Sequence, residues 1–150
     1  MHARSALTIT STQLSLPIVL AFWLTLICPG AGAQEVIAND DLQCGALTQN
    51  QARLFFTMRL QACPDGDPVK VFVLPDDNSL HADFSKVVLG LFPYQLRQVW
   101  DRQVYSGTGQ APTTVRDEQE MIERVATTPG AIGYARSRPR RSGIKLLEVR

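Results

Sequence analysis

The sequence contains few residues of the kinds that usually hold metals. It has three cysteines and two histidines among its 150 residues. His81, the only histidine beyond the N-terminal segment, follows Cys63 after seventeen intervening residues, and Cys63 follows Cys44 after eighteen. These gaps match no usual spacing of zinc ligands. We therefore expect neither a metal nor another cofactor.

A catalytic arrangement of nucleophile and base is also missing from the sequence. Ser79, His81 and Asp83 stand close together, but residues two apart on one helix point in different directions. His81 would therefore face away from the other two. No nucleophile elbow is present, and the acidic residues have the positions of helix caps and solvated faces. The sequence predicts a protein that is not an enzyme.

The chain has no large excess of charge of either sign. Its formal net charge is +1, and the part that follows residue 33 has equal numbers of acidic and basic residues. This balance gives no basis for nucleic-acid binding. The one charge run, RSRPRR at residues 136–141, is interpreted as a solvated loop or, alternatively, as a contact for anionic lipid or an acidic partner.

No charged side chain occurs between Ser5 and Gln34, and one long apolar run lies inside this stretch. Residues 14–28 would form a helix about 22 Å long, short of the roughly 30 Å of a hydrocarbon core. Ala31 and Ala33 then supply the small residues of a signal-peptidase site. We expect residues 1–33 to be a cleaved secretory signal, with a retained membrane anchor as the alternative. Residues 34–150 would then be a single exported domain.

Two cysteines remain after this signal, in a compartment that permits disulfides. Cys44 and Cys63 flank a predicted helix, and each lies several residues outside it. The flanking segments could fold back and bring the two thiols together. A disulfide between Cys44 and Cys63 and two separate thiols are the alternatives.

Strand and helix patterns alternate along the chain, which is typical of an α/β layer sandwich. The strand patterns lie at residues 35–38, 69–74, 131–135 and 144–149. A helix is expected after the capping residue Thr48, another begins at Pro93 and turns Val104 inward, and a third follows Thr114. The clearest helical stripe consists of Leu80, Phe84, Val87, Val88 and Leu91.

One segment is specific enough to suggest a family. Residues 128–134, TPGAIGY, resemble a segment of the periplasmic phosphate-binding proteins of ABC transporters. The helix at residues 47–58, the turn Pro-Asp-Gly at 64–66 and the SGTG loop at 106–109 occur in the same order as in that family. The resemblance covers residues 36–136 and is closest to short periplasmic proteins that keep about one lobe of the fold.

This resemblance implies a three-layer α/β sandwich that corresponds to one lobe of a type II periplasmic binding protein. It also implies binding of phosphate or another small oxyanion, and membrane components of an ABC transporter as partners. Full-length members hold the anion between two lobes, whereas this chain has material for one. A homodimer would supply the missing donors from a second chain.

The loop after the second predicted strand departs from the family pattern. Relatives carry Arg-Ser-Asp-x-Ser-Gly-Thr there, and this chain reads LPDDNSLH at residues 74–81. Ser79 matches the second serine, but the arginine is absent, and Leu80 and His81 replace the glycine and the threonine. Asn78 and Ser79 could still hold an anion weakly at the helix N-terminus. Otherwise Asn78 or Ser79 is a plain helix cap.

The glycine-rich loop offers a second pair of candidate anion donors, Thr108 and Gly109. The loop lacks the lysine of a nucleotide-binding loop and no strand precedes it, so a flexible connector is the alternative. Two functions therefore remain open. The protein binds a small oxyanion in connection with transport, or it is a non-catalytic interaction protein that has kept the lobe and lost the ligand.

Overall fold

The computed structural model describes residues 34–150, and the expected signal peptide lies outside the described residues. Nine elements follow one another in this part of the chain. They are β1 (Glu35–Asn39), α1 (Gln49–Phe56), β2 (Lys70–Val73), α2 (Ser79–Val87), α3 (Pro93–Ser106), β3 (Thr113–Thr114), α4 (Glu118–Thr127), β4 (Ala131–Ala135) and β5 (Ile144–Leu147). None of the helices in this range is long and apolar enough to cross a membrane.

The five strands form one mixed sheet in the order β3-β2-β4-β1-β5. β2 is parallel to both β3 and β4, whereas β1 is antiparallel to its neighbours β4 and β5. Four strands therefore run in one direction, and only β1 runs against them. Their carboxyl ends lie together at one border of the sheet, which is called the carboxyl edge below; the opposite border is the amino edge.

β4 shows why the sheet is covered on both faces. Its five residues are all buried, as expected for a strand between two layers. Tyr134 packs against Phe56 of α1 and Phe84 of α2, with the Phe84 ring stacked at 3.9 Å between centroids. Gly133 points to the other face, where a Cβ atom would lie 2.5 Å from the sulfur of Met121 in α4. The predicted three-layer sandwich is confirmed.

A disulfide joins Cys44 and Cys63, whose Cα atoms are 5.6 Å apart. It links the segment before α1 to the segment after it. The turn at residues 63–66 is closed by a hydrogen bond from Gly66 N to the Cys63 carbonyl. The bridge therefore ties the segment before α1 to the turn that leads into β2.

Two side chains that were expected to face inward are exposed. Val87 is 67 % exposed, because α2 ends there and the chain turns away at Gly90, whose φ is +64°. Val104 is 50 % exposed near the end of α3, while Leu96 and Trp100 of the same helix are buried. In both helices the apolar periodicity predicted inward-facing side chains correctly only where another layer covers the helix.

The start of the last helix also differs from the expectation. Thr114 does not precede a helix directly, because Thr113 and Thr114 pair with β2 as the short strand β3. The helix α4 begins at Glu118, after Asp117 has capped it by accepting a hydrogen bond from Glu120 N at 2.8 Å. The strand pairing is favoured because it gives the backbone groups of these threonines hydrogen-bond partners, whereas a helix start would leave its first N–H groups unpaired.

Residues 136–143 connect β4 to β5 and are called the crossover strap. Since β4 and β5 run in the same direction with β1 between them, the strap must return from the carboxyl edge to the amino edge. It does so along α4: Arg136 contacts Glu118 at the start of that helix, and Gly143 lies against the carbonyl of Ala126 near its end. A hydrogen bond from Asp40 N to the Gly143 carbonyl fixes the far end.

Candidate ligand site at the carboxyl edge

Three chain segments meet where the parallel strands end. β2 leads into the loop at residues 74–78 and the N-terminus of α2, and β3 leads into the N-terminus of α4. β4 leads into Arg136. Ligands of open α/β sheets bind at the carboxyl ends of the strands, because loops and helix N-termini converge there. This border is therefore the candidate ligand site.

Asn78 and Ser79 have different roles at the start of α2. The Oδ1 atom of Asn78 accepts a hydrogen bond from Leu80 N at 2.9 Å, which makes Asn78 the N-cap. The side-chain oxygen of Asn78 is therefore occupied by the helix cap. The hydroxyl of Ser79 instead accepts a hydrogen bond from Nη2 of Arg136 at 2.8 Å. Of the two residues singled out from the sequence here, only Ser79 directs its side chain toward a cation.

Arg136 is the residue that the sequence analysis missed. Its guanidinium reaches Ser79 from the end of β4, fifty-seven positions along the chain. Glu118 fixes it: the carboxylate accepts from Arg136 N at 2.7 Å, and its other oxygen lies 3.7 Å from Nε. The arginine that is absent from the loop after β2 is thus partly replaced from the neighbouring strand. The sequence feature that could have identified Arg136 is its position directly after a strand that is parallel to β2.

A second arginine at this border is fully engaged. Arg97 of α3 donates to both carboxylate oxygens of Asp76, with Nε to Oδ2 at 2.9 Å and Nη2 to Oδ1 at 3.1 Å. This hydrogen-bonded pairing raises the pKa of Arg97. The guanidinium also lies over the ring of Trp100 at 5.3 Å. Arg97 therefore contributes less free positive charge than its position suggests.

Beneath the loop, His81 belongs to a buried hydrogen-bond chain. The hydroxyl of Tyr134 accepts from Leu74 N at 2.8 Å and lies 2.6 Å from Nδ1 of His81. The hydroxyl donates to Nδ1 or accepts from it, depending on which ring nitrogen of the neutral imidazole carries the proton. Nε2 is 3.8 Å from Oδ1 of Asp76, too far for a hydrogen bond. It has no partner within residues 34–150.

Burial decides the charge state of this pair. Desolvation lowers the pKa of His81, and the nearby carboxylate of Asp76 opposes this shift only in part. His81 is therefore neutral, and its contact with Asp76 is not an ion pair. Burial likewise raises the pKa of Tyr134. His81 stands where the family threonine would be, but it points into the core and gives no donor to the carboxyl edge.

Thr108 and Gly109 lie away from Asn78 and Ser79. They follow Gly107, the C-cap of α3, and the hydroxyl of Thr108 is 2.8 Å from that of Ser106. The loop precedes β3, which is parallel to β2, so it belongs to the amino edge. Thr108 and Gly109 are therefore a candidate pair separate from Ser79, because one small anion cannot contact both borders of the sheet, and anion binding by this pair stays a prediction.

Two grooves lie in this part of the structure, one near the carboxyl edge and one beside β5. One, of about 590 Å³, is lined by Asp76, Arg97 and the exposed, stacked rings of Phe92 and Tyr94. The other, of about 630 Å³, lies between the end of β5 and the last turn of α2, with Val87 among its lining residues. Neither contains the Ser79–Arg136 pair. No group of three or more His, Cys, Asp or Glu side chains in the described part of the chain is placed to hold a metal ion.

The layers and the carboxyl edge together define the class of fold. A mixed sheet between helical layers, with loops and helix N-termini gathered at the ends of the parallel strands, is the fold of one lobe of a periplasmic binding protein. No family model matches the chain, and no curated protein matches it. The likeness to known proteins is therefore a likeness of fold.

Solved structures specify the fold further. The chain is similar to an ABC-type phosphate transport receptor from Vibrio cholerae, with 10 % identity and a TM-score of 0.57. It is similar to a putative phosphate ABC transporter substrate-binding protein with bound phosphate from Clostridium perfringens, with 17 % identity and a TM-score of 0.60. PstS from Borrelia burgdorferi gives 12 % identity and a TM-score of 0.55.

Each of these matches covers 77 % of this chain but only 45 %, 44 % and 46 % of the respective structures. The chain therefore spans less than half the length of the proteins it resembles. At these identities the likeness establishes the fold alone, and this fold corresponds to about one half of each of these structures. It confirms the fold that the TPGAIGY segment indicated, and it leaves the ligand to be argued from the site.

Proposed function

We propose that this protein is a solute-binding-like protein that takes up a small oxyanion, with phosphate as the first candidate, at the carboxyl edge. The observation that carries the proposal is the 2.8 Å contact between the Ser79 hydroxyl and the Arg136 guanidinium beside the N-terminus of α2. A hydroxyl donor, a guanidinium and a helix N-terminus are three groups that favour phosphate. The fold likeness supports the same choice, since one of the similar structures is described with bound phosphate.

An incoming oxyanion would insert between the two side chains. Arg136 would then donate to the anion in place of Ser79, and the freed Ser79 hydroxyl would donate to a second oxygen. Hydrogen bonds to charged groups contribute about 1.5–3 kcal/mol each. In the first turn of α2, Leu80 N is already paired with the Asn78 side chain, whereas the amides of Ser79 and His81 have no acceptor within the helix.

Nearby carboxylates limit the affinity. Glu118 contacts Arg136, and Asp76 engages Arg97, so both arginines are partly neutralised. Asp77 follows Asp76 in the same loop. A single lobe also leaves one side of the anion in solvent. We therefore expect a dissociation constant of about 1 mM, equivalent to roughly 4 kcal/mol of binding free energy.

Isothermal calorimetry with inorganic phosphate tests the proposal. Heat is expected with the unaltered protein and should disappear in both Ser79→Ala and Arg136→Gln. The matched control is Arg138→Gln, which removes the same charge two residues further along the strap and should leave binding unchanged. Thermal melting of each variant shows whether it is folded, because Arg136 also contacts Glu118.

The absence of heat with the unaltered, folded protein would refute oxyanion binding. It would favour the alternative of a non-catalytic interaction protein that has kept the lobe and lost its ligand. Equal loss of heat in Arg138→Gln would show that only the overall charge matters. The site at Ser79 would then be wrong.

The cellular setting belongs to the same proposal. We place the protein in the periplasm after removal of residues 1–33, with membrane components of an ABC transporter as partners. The names of the similar structures support this setting, since two of them refer to phosphate transport and one to PstS. The homodimer that would complete the clamp gains no support from them and stays a prediction. Light scattering on the purified protein tests it.

A further inference from the structure

The crossover strap carries the most concentrated charge of the described chain. Arg136, Arg138, Arg140 and Arg141 fall within six residues, and all four are exposed. Arg136 is engaged by Glu118 and Ser79. Within residues 34–150, Arg138, Arg140 and Arg141 take part in no ion pair. Five other arginines do, and Arg136 is one of them.

The strap holds these three arginines on a supported surface. Its first residue is fixed to α4 by Glu118, and its last is fixed by the hydrogen bond from Asp40 and by contact with Ala126. Pro139, in the middle, is only partly exposed, which indicates that the backbone there lies against the protein. The guanidinium groups are therefore presented outward from a segment that is pinned at both ends.

We propose that the strap is a docking surface for the phosphate groups of an anionic phospholipid bilayer. Guanidinium groups match phosphate oxygens in a bidentate manner, and clusters of basic residues without internal partners are attracted to anionic membrane surfaces. The grooves described above are lined by other residues, so the strap offers an open surface rather than a pocket. Its sequence has no aromatic residue that would stack on bases, which disfavours single-stranded nucleic acid.

The expected effect follows from the number of free guanidinium groups. Each basic residue near an anionic surface strengthens binding about fivefold, so three contribute on the order of 100-fold. The attraction decays within a Debye length of about 10 Å at moderate salt, so binding should weaken steeply as salt is added. The protein should leave the membrane at high ionic strength.

Co-sedimentation with vesicles tests the proposal. The vesicles contain equal amounts of phosphatidylglycerol and phosphatidylcholine, and vesicles of phosphatidylcholine alone serve as the reference. The test variant combines Arg138→Gln, Arg140→Gln and Arg141→Gln. The matched control combines Arg59→Gln, Lys70→Gln and Arg102→Gln, which remove the same charge from exposed positions outside the strap.

Binding to the anionic vesicles that falls on the order of 100-fold in the strap variant and changes little in the control supports the proposal. Equal losses in both variants would show that only net charge matters and would overturn it. Equal binding to phosphatidylcholine alone would also overturn it, because apolar insertion would then be responsible. Binding to polyglutamate without binding to vesicles would identify an acidic protein as the partner instead. Ser79→Ala should not affect vesicle binding, so this inference can fail or succeed independently of the oxyanion site.

Discussion

Tyr134→Phe is the most informative single change in the core of this protein. The phenylalanine ring can keep the stack on Phe84, so the substitution removes little more than the hydroxyl. That hydroxyl has two buried partners, Leu74 N at 2.8 Å and Nδ1 of His81 at 2.6 Å. Its removal leaves both without a partner in a region that is closed to solvent.

The magnitude follows from these two groups. A buried donor or acceptor left without its partner costs about 1–3 kcal/mol. The two together should lower the free energy of unfolding by about 3 kcal/mol. A domain of about 120 residues has an unfolding entropy of roughly 0.25 kcal/mol/K, so the melting temperature should fall by about 12 °C.

Urea unfolding and thermal melting measure this effect. Tyr105→Phe is the matched control, because Tyr105 is 88 % exposed and should change stability by less than about 0.5 kcal/mol. A second test repeats Tyr134→Phe in a His81→Leu background. There the loss should be about half as large, since only Leu74 N is then left unpaired.

A loss below about 1 kcal/mol for Tyr134→Phe would refute the reasoning, because the hydroxyl would then not be the partner of both groups. An unchanged loss in the His81→Leu background would show that the imidazole is not coupled to the tyrosine. The two measurements together therefore test the hydrogen-bond chain and not only the burial of Tyr134.

Four further outcomes follow from the structure. Burial lowers the pKa of His81 below 6.5, so the unfolded chain binds the proton more readily than the folded chain. The free energy of unfolding should therefore fall as the pH drops below about 6.5 and stay level above it. Urea titrations of His81→Gln should lack this pH dependence. Replacing Cys44 and Cys63 by serine should cost about 3 kcal/mol in thermal unfolding. Gly133→Ala should cost about 1–3 kcal/mol in urea, since its Cβ would meet a sulfur at 2.5 Å. Asn78→Ala should cost about 1 kcal/mol in the same assay.

Much of the fold could be predicted because its signals are local. The TPGAIGY segment forms β4 and its approach, and Thr48 caps α1 through a capping box with Gln51. Both depend on residues a few positions apart. Alternating strand and helix patterns likewise predicted an α/β layer sandwich, and the family resemblance implied its three layers.

The remaining features depend on contacts between distant parts of the chain. Arg136 reaches Ser79 only because β2 and β4 are neighbours, which no local pattern states. Periodicity marked Val87 and Val104 as apolar positions, but which parts of α2 and α3 would be covered depends on where neighbouring layers end. The two threonines of β3 favour a strand, but two residues are too few to mark one, so β3 is defined by its partners in β2.

The borders of the sheet also affect how the protein behaves when many copies are present. On one side the outermost strand has two residues, both exposed threonines, and on the other it has four. Beyond those four, the chain pairs with Leu47, whose N–H donates to the Glu148 carbonyl at 2.8 Å. Short terminal strands offer little template for a strand from another molecule. Growth of the sheet into fibrils is therefore resisted at both ends.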